Sequence, residues 1–319
     1  MNIIPWIFTL TAMSLAQDLE INNKCSYTMG KAVFVCSGLQ NITHNIDTFI
    51  TPHTRMLVIK NSDEIIFPTY YHNATNYAHL VNYNIIDNNA LNINECAFYG
   101  LSNLQYMKIT GNFLHTLKNR SFCGLNKLEL LNLSQNNITR FNANTFTGLQ
   151  ALLTLDLAKN NIKVLSSNVF IELMYLKILH LEHNNIQQLQ KNCFLGLVHL
   201  EILDLRFNAI QIIRAEDFNI LHELNSLYLS FNQISVITGD LKLKKLSFLS
   251  IDHNNLAQIE DNTLKYVINI QSIDMSYNNL SNLTDTIFCH LSSLKHLNLK
   301  NNNINTNFST LQKNVSVIL

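Results

Sequence analysis

The chain has 319 residues, 47% of them hydrophobic, a content that excludes a wholly disordered protein and demands a large buried core. Lys and Arg together number 22, as do Asp and Glu, so no basic excess points to nucleic acid and no acidic tail to a cationic partner. Eight glycines and three prolines argue against a linker-rich chain with many tight hairpins.

The first segment, MNIIPWIFTLTAMSLAQ, is an apolar run that closes on Ser14-Leu15-Ala16, a small-x-small cleavage site of the secretory type, although no Lys or Arg precedes it. It predicts a signal peptide over residues 1–16 and a mature chain starting near Gln17. No uninterrupted apolar stretch of about 18–20 residues follows, so no membrane span is expected. The tail NVSVIL is shorter than the roughly 10–20 apolar residues of a lipid-anchor signal. The expectation is a secreted, unanchored product. Residues 17–52 come next and carry Cys25 and Cys36.

From residue 53 onward one phrase recurs. LNLSQNNI at 131–138 returns as LDLAKNNI, LHLEHNNI, LDLRFNAI and LYLSFNQI. Its asparagines are Asn88, Asn112, Asn136, Asn160, Asn184, Asn208, Asn232, Asn254, Asn278 and Asn302, each 24 residues after the last except for the 22-residue step to Asn254. Ten residues after most of them stands a phenylalanine: Phe98, Phe122, Phe146, Phe170, Phe194, Phe218 and Phe288. In LHLEHNN, Leu179 and Leu181 alternate with His180 and Glu182, the period of a short strand that buries its leucines and presents its polar residues. Such strands stack in parallel at about 4.8 Å, sharing one core. The Asn amide, donor and acceptor at once, suits backbone groups left open where the chain turns off the strand. The short unit carries TGDLKLKKL where its neighbours have Phe, which predicts a tighter outer segment with KLKK as a solvated face. Residues 53–87 form a worn unit, since LVIKNS is two residues out of register with Asn88.

The pattern L-x-x-L-x-L-x-x-N-x-I/L over nine or ten units resembles the extracellular, 24-residue leucine-rich repeat family from about residue 53 to the end. The resemblance implies an α/β leucine-rich repeat solenoid: a curved horseshoe with a parallel β-sheet on its concave face and an irregular or short-helical convex side. It also implies likeness to Toll-type receptor ectodomains and to secreted arthropod immune and adhesion proteins of this repeat. VFVCSGLQNI is similar to the cysteine-bearing cap that precedes such repeats, so residues 17–52 are expected to form that cap, with Cys25 and Cys36 bridged. Residues 53–319 then hold about ten repeats without a four-cysteine C-terminal cap.

Four cysteines remain. Cys193 stands in a core position and reads as a buried free thiol, and Cys289 reads as outward-facing, able to join two chains. Cys96 and Cys123 lie in adjacent units, three positions out of register; a bridge is one reading, separate thiols the one favoured by the offset. Apolar residues persist past Asn302, which leaves three readings of the end: an irregular final unit, an open edge that pairs with a second copy, or a fragment of something longer, such as a receptor ectodomain.

The outward residues of successive strands form columns. The middle one runs Asn84, Lys108, Asn132, Asp156, His180, Asp204, Tyr228, Ser250, Asp274, Asn298; beside it stand Thr110, Ser134, Ala158, Glu182, Arg206, Ser230, Asp252, Ser276 and Lys300. Asp156, His180, Glu182, Asp204, Asp252 and Asp274 make a mainly acidic field interrupted by Arg206, with Leu130, Ile178 and Ile202 on its flank. Charges beside an apolar strip compose a protein-binding surface. Phe207, Phe231, His253 and Tyr277 also align, just before the Asn, and read mainly as structural.

Sequons occur at Asn41, Asn73, Asn119, Asn132, Asn137, Asn279, Asn282, Asn307 and Asn314, and none between residues 140 and 278. The sugar-free middle, Asp156, Ile178, His180, Glu182, Ile202, Asp204, Arg206, Tyr228, Asp252 and Asp274, is therefore the expected docking surface for another protein. Asp156, His180 and Asp204 with Glu182 could hold a cation, but the expectation is no metal and no cofactor. Catalysis is not expected either, because Ser134 and Ser230 are not evidently beside His180, no strained nucleophile turn or phosphate loop appears, and an open sheet admits water. The alternative function is a self-associating matrix or adhesion protein.

Overall fold

A computed structural model describes residues 23–39, 50–66, 77–281, 283–305 and 315–319. The signal-peptide segment and the sequons at Asn41, Asn73, Asn282, Asn307 and Asn314 lie outside them.

The described residues form a leucine-rich repeat solenoid of about ten turns, with one 14-stranded sheet whose strands follow chain order. Strands Cys25–Thr28 and Val33–Ser37 pair antiparallel, with Cys25 opposite Cys36, and every later pairing in the sheet is parallel. Cys25 and Cys36 are joined by a disulfide, which ties the edge strand to its neighbour. The convex side consists mostly of turns, with short pieces such as the helix Ala215–Phe218 and the 3-10 turn Asp285–Phe288. Small second ladders join Val164–Leu165 to Gln188–Leu189 and Ile212–Arg214 to Val236–Thr238. Among the described residues no helix is long and apolar enough to cross a membrane.

One hydrophobic core runs the length of the stack. The seven repeat phenylalanines are buried. Phe98, Phe122, Phe146 and Phe170 succeed one another with centroids 6.0, 6.3 and 6.1 Å apart and near-parallel rings. In the short unit Leu241 and Leu243 are buried where most others bury Phe; the next, 24-residue unit buries Leu264 at the Phe place.

The asparagines stitch each turn to the one before it. Asn160 donates from Nδ2 to the carbonyls of Leu133, Leu157 and Ala158 at 3.0, 3.1 and 3.2 Å, and its Oδ1 accepts the N–H of Ile138 at 3.0 Å. Asn184, Asn232, Asn254 and Asn278 repeat the arrangement. At the worn unit Ser62 takes the Asn place: its Oγ accepts from Leu39 N–H and donates to Lys60 O. The strand Met56–Lys60 pairs with Asn82–Ile86 at an offset of 26, which absorbs the two extra residues.

Cys96 and Cys123 are bonded to each other, against the reading that their three-position offset favours separate thiols. Arg120 is the residue in register with Cys96, and its carbonyl accepts the N–H of both Cys96 (2.9 Å) and Cys123 (3.1 Å). The turn from Arg120 to Cys123 lifts the second cysteine over the first, bringing the Cα atoms to 4.9 Å. Cys193 is buried and free, and Cys289 is exposed and free.

Candidate functional site on the concave face

Because strand residues alternate in and out, each turn contributes one apolar side chain, most often leucine, to the core and its two neighbours to the face. The register places Asn84, Lys108, Asn132, Asp156, His180, Asp204, Tyr228, Ser250, Asp274 and Asn298 side by side in one column. Leu130, Thr154, Ile178, Ile202, Ser226 and Phe248 form the flanking column, in which Leu130, Ile178 and Ile202 are half-buried.

Three local groups organise the charges. Asp204, 3% exposed, receives Arg206 Nε on both oxygens at 3.0 Å and Nη2 on Oδ2 at 2.5 Å, while Arg206 Cζ lies 5.0 Å over the Tyr228 ring. The carboxylate holds the guanidinium above its ordinary pKa. Next to it, His180 Nδ1 faces Glu182 Oε2 at 3.4 Å, a charge contact longer than a good hydrogen bond between atoms otherwise shut from water. That contact with Glu182, with the charges of Asp156 and Asp204, raises the His180 pKa against its own burial. Burial pushes Glu182 up, but His180 and Arg206 hold it below the ordinary value. Burial raises Asp156, outweighing the Ala158 N–H on its Oδ1 at 2.9 Å.

The third group centres on Asp252, which accepts from the hydroxyls of Ser230 and Ser250 and from His253 Nδ1 at 2.8 Å. Burial pushes its pKa up, and these donors more than reverse that. The aspartate stands between serines and imidazole, so this arrangement lacks the serine–histidine contact of an activated nucleophile. Further along, Asp274 accepts from Ser276 N–H and Oγ and from Asn298 Nδ2.

Ligand atoms of His180, Glu182 and Asp204 fall within 4.8 Å of one another. The contact His180 makes is with Glu182 of its own turn, not with the aspartates of the adjacent strands. Both Asp204 oxygens already accept from Arg206, whose charge competes with a cation for them.

On the rim, the alignment of aromatics begins one turn earlier than the sequence reading has it. His183, Phe207, Phe231, His253 and Tyr277 stack with centroids 4.3, 4.4, 4.2 and 4.2 Å apart. All five adopt left-handed φ between 52° and 56°. His183 was detectable from its place immediately before Asn184. Of the described sequons, Asn119 and Asn279 are exposed and Asn137 is half-buried. Asn132, half-buried in the middle column, accepts on Oδ1 from Ser134 N–H and Oγ.

The family described as Leucine rich repeat matches residues 78–138, 127–176, 174–234 and 244–304. Among curated proteins no sequence match is found. Solved structures share the fold. The Toll chain of the Drosophila Toll–Spatzle complex has 19% identity and a TM-score of 0.66 over 85% of this chain and 40% of its own. A chain of the TLR13–ssRNA13 complex has 24% identity and a TM-score of 0.60 over 83% of this chain and 46% of its own. A chain of the octameric complex of Latrophilin 3, Unc5D and FLRT2 (LRR) has 19% identity and a TM-score of 0.70, over 92% and 90%. The present chain thus spans less than half the length of the Toll and TLR13 chains. Repeats matched over more than half its length and a shared solenoid place this chain in the leucine-rich repeat family.

Proposed function

We propose that this is an extracellular recognition protein that binds another protein through the middle of its concave sheet. The surface comprises Asp156, Ile178, His180, Glu182, Ile202, Asp204, Arg206, Tyr228, Asp252 and Asp274. The observation that carries the reading is the register: it gathers side chains of consecutive turns, far apart in sequence, into one half-buried acidic field with an apolar flank. Toll with Spatzle and FLRT2 with its partners are complexes of the same fold, which supports a binding role in immunity, signalling or adhesion. A polyanion such as RNA suits this face poorly, since Asp156, Glu182, Asp252 and Asp274 would repel phosphate. Secretion is supported by the paired cysteines, the sequons and the N-terminal apolar run. Catalysis has no support from the serine and histidine groups above.

The test is charge reversal. Labelled protein is bound to cells of the source organism, and Glu182→Lys with Asp274→Lys is compared with a convex pair, Glu172→Lys with Asp261→Lys. Loss of binding by at least tenfold in the first pair alone is expected, together with weaker wild-type binding at higher salt. Equal loss in both pairs, or none, contradicts the reading.

A further inference from the structure

The five-ring stack along the rim is a second, chemically different surface. Its rings sit closer, 4.2–4.4 Å, than the 6.0–6.3 Å of the buried phenylalanine row, and Phe207, Phe231 and Tyr277 remain 38%, 41% and 46% exposed. The stack is commensurate with the sheet because each ring occupies the same place in its turn, one residue before the stitching Asn. Solvent and partners meet ring edges, since each interior face is covered by the next ring, at interplanar angles of 6–14°.

That geometry selects among ligands. Sugars, bases and cations are recognised over open π-faces, which the interior of this row does not offer. Ring edges carry the positive rim of the quadrupole and accept the face of another aromatic in a T-shaped contact. The column next to the row holds Glu182, Arg206 and Asp252, with Asp204 and Asp274 one column farther; Arg206 is taken up by Asp204, so the charge left adjoining the row is acidic. We propose that the His183–Tyr277 row is a docking rail for an extended segment of a partner protein bearing both aromatic and basic side chains. Its aromatic faces rest on the ring edges and its Lys or Arg side chains reach Glu182, Asp252 and Asp274. This deepens the concave-face reading and rests on it for the charge part only.

The probes are ten-residue synthetic peptides of alternating Lys and Tyr, Lys and Ala, or Glu and Tyr, with chitohexaose and oligouridylate beside them, titrated onto the full chain by calorimetry. The Lys–Tyr peptide is expected to bind at least tenfold more tightly than either other peptide, and the sugar and RNA not at all. Phe207→Asn with Phe231→Asn removes the central rings at positions where Asn tolerates left-handed φ, and should bring Lys–Tyr binding down to the Lys–Ala level. Asp274→Asn, whose carboxylate bonds Ser276 and Asn298 and no ring of the row, should weaken both Lys peptides alike; thermal unfolding monitors each variant's integrity. Equal binding of Lys–Tyr and Lys–Ala, no peptide binding, ring-dependent binding of sugar or RNA, or Lys–Tyr binding untouched by loss of Phe207 and Phe231 would each overturn the rail. In the last case the acidic face itself survives, whereas failure of the charge-reversal test with ring-dependent binding intact would sink the face and leave the rail.

Discussion

The side-chain oxygen of Asn160 accepts the backbone N–H of Ile138, 22 residues earlier, while its amide nitrogen reaches the carbonyl of Leu133, 27 residues earlier. One buried amide thus serves two turns. Asn160→Ala strands the Ile138 N–H in the core, while the carbonyls of Leu133 and Leu157 lose one donor each and keep Asn136 and Asn184. At about 1–3 kcal/mol for one unpaired buried group, a loss of that size is expected in urea unfolding. A change under 1 kcal/mol would show that the stitch is dispensable.

This stitch was legible in the sequence because one residue type returned every 24 positions, and the same period fixed the columns of the face. What escaped was anything the repeated letters do not carry. The Cys96–Cys123 bond depends on the convex turn from Arg120 to Cys123, a turn that recurs at Cys96, Asn144, Asn168 and Asn192 in backbone geometry but opens on different residue types, so the letters do not reveal it. Likewise, which neighbour an outward side chain chooses is a matter of rotamers: Asp204 takes Arg206 and His180 takes Glu182, both within their own turns. Alternation reveals that such residues face outward but not toward whom they lean.

Six cysteines divide into three chemical classes. Burial pushes the Cys193 thiol up to about 12, so it holds almost no thiolate at neutral pH, whereas Cys289 is exposed. Native protein should therefore react with one equivalent of a thiol reagent such as Ellman's. Unfolded without reductant it should give two, and unfolded after reduction all six. Two fast equivalents in the native state, or four on unfolding without reductant, would contradict the buried thiol or the second disulfide respectively. Should Cys289 join two copies, non-reducing electrophoresis would show a dimer lost in Cys289→Ser.

The His180–Glu182 contact makes stability depend on pH in a defined window. The folded-state pKa of His180 is raised above 6.5, so its contribution is full below 6.5 and is lost as pH rises through the folded value. Glu182 is lowered from 4.5, so its contribution is present above 4.5 and is lost as pH falls through its folded value. Asp156 works the other way, its raised pKa removing stability as pH climbs above 3.8. The pair is therefore strongest between pH 4.5 and 6.5. Unfolding midpoints should fall on going from pH 6 to pH 8, with a smaller fall in His180→Asn, and the His180 ring proton followed by NMR should titrate above 6.5. Titration below 6.5 would refute the contact.

Docking on the middle of the concave face is most directly tested by placing a glycan there. Tyr228→Asn completes an N-x-S sequon with Leu229 and Ser230 at the centre of the acidic field, and Asp261→Asn completes one with Asn262 and Thr263 on the convex side. With glycan occupancy checked by mass spectrometry, the Tyr228 variant should lose binding to cells of the source organism while the Asp261 variant binds as the wild type does. Undiminished binding with a sugar on residue 228 would contradict the account.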